Sequence, residues 1–135
     1  MPVVTGIFEV SRAPGDLSEA ATAAGMGRFV LSKRFHGELE AGSAGEMLSI
    51  GSPTAQGSAG YVAIERVEGK LAGRQGGFAL QHFGIMERGA GRLNVEVVPD
   101  SGTGELQGLR GTMAIVVADG QHRYEFTYTL DAQAA

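Results

Sequence analysis

The stretch "ADGQHRYEFTYTL", residues 118–130, alternates as a strand does. His122, Tyr124, Phe126, Tyr128 and Leu130 fall on one face, and Arg123, Glu125, Thr127 and Thr129 on the other. Asp119-Gly120 just before it is a tight-hairpin signal, since both residues tolerate the positive φ that a two-residue turn needs. The same period-two pattern recurs along the chain, rich in β-branched and aromatic residues and broken by turn clusters. Eight strands are expected, at 3–10, 27–36, 43–50, 60–68, 77–87, 92–98, 111–118 and 122–130.

One segment breaks the alternation. "APGDLSEAATAAG", residues 13–25, offers Asp16 as an N-cap, Glu19 three positions on, then alanines and Gly25 as a stop. It predicts a short helix or an ordered loop after the first strand. A chain of 135 residues has the size of one domain with one core, placed here at 1–131, with 132–135 as a frayed tail.

A weak repeat organises the strands. "GELEAGSAG" from Gly37, "GKLAGRQG" from Gly69 and "GELQGLRG" from Gly104 share a glycine, a charged residue, a leucine and then small residues. Each period holds about two strands, so the three segments read as equivalent turns at one end of an up-and-down meander. Closure into a barrel is how such a meander avoids exposed edges. The fold class is therefore all-β, an eight-stranded antiparallel up-and-down barrel. Strand 111–118 is apolar on both faces, so its outer face needs a cover: a neighbouring subunit, or the short helix.

Composition narrows the function. The 22 glycines have no repeating triplet and lie between apolar runs, which suits turns and bends. A formal net charge of −4 with scattered cations gives no footprint for nucleic acid. Without cysteine there is no disulfide, zinc–thiolate or thiol nucleophile. The N-terminus lacks signal-peptide character, and no apolar run approaches the roughly 20 residues of a membrane span, so a cytoplasmic protein without membrane partners is expected. His36, His82 and His122 are far apart and form no ligand pattern, so no metal is expected. "GTGELQG" lacks the βαβ setting of a dinucleotide fingerprint, and no cofactor is expected.

Three phrases carry a resemblance: "FHGELEAGSAGEML", "GSAGYVAIERVEGKLAGRQGGFALQHFG" and "VVPDSGTGELQGLRGTMAIVVADGQHRYEFTYTL", together with the opening "TGIFEV". In this order they resemble a bacterial domain-of-unknown-function family with an allene oxide cyclase-like barrel. The last phrase is also similar to the ends of plant allene oxide cyclases and of dirigent proteins. Segment 11–26, alanine-rich and without tryptophan, departs from that pattern. The resemblance implies an oligomeric eight-stranded barrel whose lumen holds a hydrophobic small molecule. Allene oxide cyclases steer a ring closure mainly by confining the substrate, helped by a carboxylate and a water, and none of their catalytic positions is carried over here.

The candidate site rests on register. If Val67 pairs with Phe78, then Glu65 opposes Leu80, Ala63 opposes His82, and Glu65 and His82 are diagonal neighbours on one face. A slip of one residue would put Gln81 beside Glu65 instead. If Ile50 pairs with Tyr61, Glu46 lies opposite Glu65. Glu46, Glu65 and His82 in an apolar lumen would form an acid/base group, in which burial and mutual repulsion raise one carboxylate's pKa. Tyr61, Gln81, Arg66, Met86, Tyr124 and Phe126 are the candidate ligand-binding residues. The bland alternative puts Glu46, Glu65 and Arg66 near strand ends or on the outer wall as solvated or paired charges, and makes His82 a hydrogen-bonded core residue. The functional expectation is a small-molecule-binding barrel. If it is an enzyme, it is a cofactor-independent isomerase or cyclase acting on a hydrophobic substrate by confinement and acid/base assistance. The alternative is a non-catalytic carrier, or a structural oligomer with a filled lumen. On the catalytic reading, Glu65→Gln leaves the fold intact and alters ligand behaviour.

Overall fold

The computed structural model describes residues 1–130, so the frayed-tail expectation falls outside the described residues. The elements are β1 (Val3–Pro14), α1 (Glu19–Ala23), β2 (Met26–Gly37), β3 (Leu39–Gly51), β4 (Ala59–Leu71), β5 (Arg74–Glu87), β6 (Ala90–Val97), β7 (Thr103–Gly104), β8 (Leu109–Ala118) and β9 (Gln121–Leu130). All eight expected strands are present. The addition is β7, which pairs with β5 at Gly76 and Gly77, beyond the point where β6 leaves that edge. The order β4-β3-β2-β1-β9-β8-β6-β5 is closed by the β4–β5 pairing, and every pairing is antiparallel. The result is a closed eight-stranded antiparallel barrel with one extra strand.

One end of the barrel is packed solid, and the sequence repeat builds it. Leu39, Leu71 and Leu106, the third residue of each repeat, are all 1% exposed and share one core with Phe35, Phe78 and Phe126. The turns that carry them meet. Ala72 N–H donates to the Glu38 carbonyl at 2.7 Å, and Glu105 N–H donates to the Gln75 carbonyl at 2.9 Å. Phe126 stacks between Phe78 and Tyr128 at centroid distances of 5.7 and 5.4 Å. Full burial of one such ring stabilises the fold by about 2–3 kcal/mol. The Tyr124 hydroxyl closes the β2–β3 turn, donating to the His36 carbonyl at 2.9 Å and accepting from the Leu39 N–H at 3.2 Å. Gly37, at φ +116°, makes room for it, since a Cβ there would stand 2.9 Å from the hydroxyl.

The other end is open. Inward positions near it include Tyr61 on β4, Met86 on β5, Leu93 on β6 and Ile115 and Val117 on β8, and Met86, Leu93 and Val117 are 45%, 40% and 61% exposed. The wall is weakest between β6 and β8, where the ladder is reduced to Glu96 opposite Thr112.

The segment after β1 forms α1, and its N-cap is Ser18 rather than Asp16. The Ser18 Oγ accepts the Ala21 N–H at 3.1 Å, and Gly25 ends the turn at φ +86°. α1 packs beside β2 and buries none of its residues, so the alternative in which it covers β8 does not hold. Among the described residues no helix is long and apolar enough to cross a membrane.

Two registers position the site. β4 and β5 pair with Val67 opposite Phe78, as expected, across a two-residue turn at Ala72-Gly73 with φ +50° and +83°. β3 and β4 pair with Ile50 opposite Gly60, one residue away from the expected Ile50–Tyr61 pairing. That slip turns Glu46 outward and places Gly45 opposite Glu65. A Cβ on Gly45 would stand 2.7 Å from the Glu65 Cα and Cβ. Gly45→Ala is therefore expected to lower the unfolding free energy by about 1–3 kcal/mol, read from urea unfolding. An unchanged midpoint would show that β3 can retreat from β4 at no cost.

Candidate functional site

Four adjacent strands each send one polar side chain into the same layer of the barrel. Lys33 on β2 lies opposite Ser43 on β3, Ser43 lies opposite Val67 on β4, and Glu65 and His82 sit diagonally across β4 and β5. Glu65 joins them. Its Oε2 accepts from Lys33 Nζ at 2.7 Å and from His82 Nε2 at 2.5 Å, and its Oε1 accepts from Ser43 Oγ at 2.6 Å. Lys33, Glu65 and His82 are buried, at 9%, 1% and 4% exposure. The Lys33 ammonium also lies 5.1 Å from the Phe8 ring centroid and 5.9 Å from that of Phe35, which adds cation–π attraction.

The electrostatics reverse the sequence expectation. Burial alone would raise the Glu65 pKa. The His82 hydrogen bond, the Lys33 charge and the hydrogen bonds from Lys33 and Ser43 outweigh it and hold the pKa at about 2. Glu65 is a fixed anion, not a general acid. Because a carboxylate can only accept, His82 Nε2 carries the proton in this contact. His82 Nδ1 makes no hydrogen bond among the described residues, and no buried polar side-chain atom lacks a partner, so Nδ1 is the ring nitrogen left accessible.

Above this layer lies a cavity of about 450 Å³, lined by Tyr61, Gly84, Met86, Leu93, Ile115 and neighbouring residues along the β6–β8 seam. Gly84 and Leu93 are the next inward positions beyond His82 and its partner Val95, one side-chain layer or ~7 Å along the strands. Gly84 is needed for this arrangement, because a Cβ there would overlap the Tyr61 ring. Burial raises the Tyr61 pKa, so its phenol is a neutral donor at neutral pH, and its hydroxyl has no partner among the described residues.

The expected site residues divide into three groups. Glu65 and His82 come together, and Tyr61 and Met86 line the cavity above them. Glu46, Gln81 and Arg66 are on the outer wall, because the β3–β4 slip and the alternation of β4 and β5 turn them away from the lumen. Glu46 pairs there with Arg28 at 2.7 Å, and Arg66 pairs with Glu68 at 2.9 Å. Tyr124 and Phe126 lie in the packed half, with Phe126 fully buried and the Tyr124 hydroxyl occupied at the β2–β3 turn. Lys33 and Ser43 were not anticipated. Lys33 had a legible signal, as it falls in phase with Phe29, Leu31 and Phe35 on the inward face of β2. Among the described residues no cluster of His, Cys, Asp and Glu could hold a metal ion.

The model of a family of proteins of unknown function, DUF3224, matches residues 4–128. A crystal structure of a DUF3224-family protein of unknown function from Shewanella oneidensis MR-1 is similar, at 56% sequence identity and a TM-score of 0.89. The similarity covers 97% of this chain and 98% of that one. No curated protein matches.

Proposed function

The chain belongs to the DUF3224 family, and from that premise we propose that it binds an apolar small molecule in the open half of its barrel. The observation that carries this reading is the cavity of about 450 Å³ along the β6–β8 seam, a size typical of ligand sites, whose lining residues Gly84 and Leu93 are the next inward positions after His82 and Val95. Its lining is mostly aliphatic, so the ligand gains most of its affinity from apolar burial, while the unpaired Tyr61 hydroxyl selects for a carbonyl or ether oxygen. A structural barrel with a filled lumen would have no such space at its mouth.

A second reading is favoured by the Glu65–His82 dyad. With Nε2 donating to the carboxylate, Nδ1 is the ring nitrogen left to exchange a proton with a ligand. Nδ1 takes a proton from a carbon next to the ligand's carbonyl, Tyr61 donates a hydrogen bond to the carbonyl oxygen, and the proton returns to a different carbon. The net change is an isomerisation, with no cofactor consumed.

Both readings require a ligand in the cavity. Titration with the fluorescent dye 1-anilinonaphthalene-8-sulfonate is expected to show saturable one-site binding. Leu93→Trp, which fills the mouth, should weaken it by at least about tenfold with an unchanged Tm. Equal binding by both proteins would sink the assignment of the cavity. A ligand that co-purifies separates the two readings. If it is carried, it returns unchanged after incubation in deuterated water, and if it is isomerised, it returns with deuterium on carbon.

A further inference from the structure

The outer wall of the barrel holds a second feature, independent of the cavity. Outward positions on β2 to β6 form three cross-strand rows: Val30, Glu46, Ile64, Gln81 and Glu96; Arg28, Leu48, Val62, Phe83 and Asn94; and Met26, Ile50, Gly60, Ile85 and Arg92. At the centre, Leu48, Ile50, Val62, Ile64 and Phe83 are 44% to 57% exposed, and Met26 and Val30 are 42% and 43%. A soluble strand normally carries its apolar residues inward and its polar ones outward. Near its open end β3 departs from this, with Leu48 and Ile50 outward beside Glu46, while Ser43, Gly45 and Ser49 share the inward face with Met47.

We infer that this β2–β5 face is an interface with a second copy of the same chain, related by a two-fold axis. Three arguments select that occupant. The seven half-exposed side chains make an apolar patch on the order of 600 Å², at the upper end of what monomers leave uncovered. With its polar rim the face reaches the roughly 800 Å² per partner of a standard stable interface. Each flank of the patch carries both charge signs, Arg28 and Glu46 on one side, Arg92 and Glu96 on the other, so two copies facing each other bring opposite charges within reach in either two-fold orientation. The surface also has relief to interlock. Gly60 lies between Ile50 and Ile85 in its row, and a notch of about 330 Å³ opens beside it with Val62 and Phe83 on its lining.

The interface therefore lies across the barrel from β8, whose outer face the sequence reading had assigned either to a neighbouring subunit or to the short helix. Sedimentation equilibrium on the full chain tests it. The wild type is expected at twice the chain mass at micromolar concentration. Ile64→Lys, at a 57% exposed centre position, is expected to raise the dimer dissociation constant at least about 100-fold, with an unchanged circular dichroism spectrum and Tm. Val116→Lys, at an equally exposed β8 position, should leave the dimer intact. A monomeric wild type would overturn the inference and leave the face to a different partner. A dimer that survives Ile64→Lys, or that Val116→Lys dissociates, would overturn it as well and return the contact to β8.

Discussion

Glu65→Gln is expected to lower the unfolding free energy by about 3–5 kcal/mol, although the side chain is almost isosteric. The amide can still accept one hydrogen bond, but it cannot neutralise the Lys33 ammonium, whose side chain keeps 6% of its exposure. Burying an uncompensated charge is the costly step, far more than losing one contact. Lys33→Met in the same background should recover a large part of the loss, because it removes the orphaned charge while the amide still serves His82 and Ser43. Urea unfolding of the two single variants and the double variant gives the coupling energy, expected at about 2 kcal/mol or more. A cost for Glu65→Gln below about 1 kcal/mol, within the range of exposed ion pairs, would mean that water reaches Lys33.

That result would also correct the sequence reading, in which Glu65→Gln spares the fold. The sequence reading missed Lys33 for a physical reason. The Glu65–His82 contact hung on the Val67–Phe78 register, which the sequence reading posed as a condition and which the two-residue Ala72-Gly73 turn meets. The Glu65–Lys33 contact crosses two strand pairings, and one of them was out of register. Seven residues separate β3 from β4, which leaves the parity to the hydrophobic pattern. On the open half of β3 that pattern is ambiguous, with polar and apolar residues on both faces. Gly45 and Ser43 on its inward face make room for the Glu65 carboxylate, and Ser43 bonds it, while Leu48 and Ile50 on its outward face belong to the exposed β2–β5 patch. A pattern that assumes one buried face chooses the wrong phase when both faces are specialised.

The barrel itself was more legible than the site. Alternation repeats in every strand, and many weak signals agree, so one strand of ambiguous phase does not disturb the strand count. The three glycine–leucine turns added a constraint that alternation lacks, since they placed Leu39, Leu71 and Leu106 at the same end. The two-residue β7 left no readable pattern. It is held by Thr103 and Glu105, whose side chains bond the backbone N–H groups of Gly77 and Gln75 on β5.

Acid should weaken the protein through the same carboxylate. Glu65 titrates at about 2 in the folded chain against 4.5 ordinarily. Above pH 4.5 it is ionised in both states, and its full contribution is present. Between pH 4.5 and 2 the unfolded state binds a proton that the folded state does not, so stability falls as the pH falls, and below 2 the contribution is gone. The shift corresponds to roughly 3 kcal/mol, undiminished by solvent screening because the group is 1% exposed. The other acidic side chains also weaken the fold in acid, but they do so equally in Glu65→Gln. The free-energy gap between wild type and Glu65→Gln should therefore narrow by about 3 kcal/mol between pH 6 and pH 2, as measured by urea unfolding at each pH. Two stability curves that stay parallel across that window would show that the carboxylate is not held ionised by Lys33 and His82, and the site would lose its fixed anion.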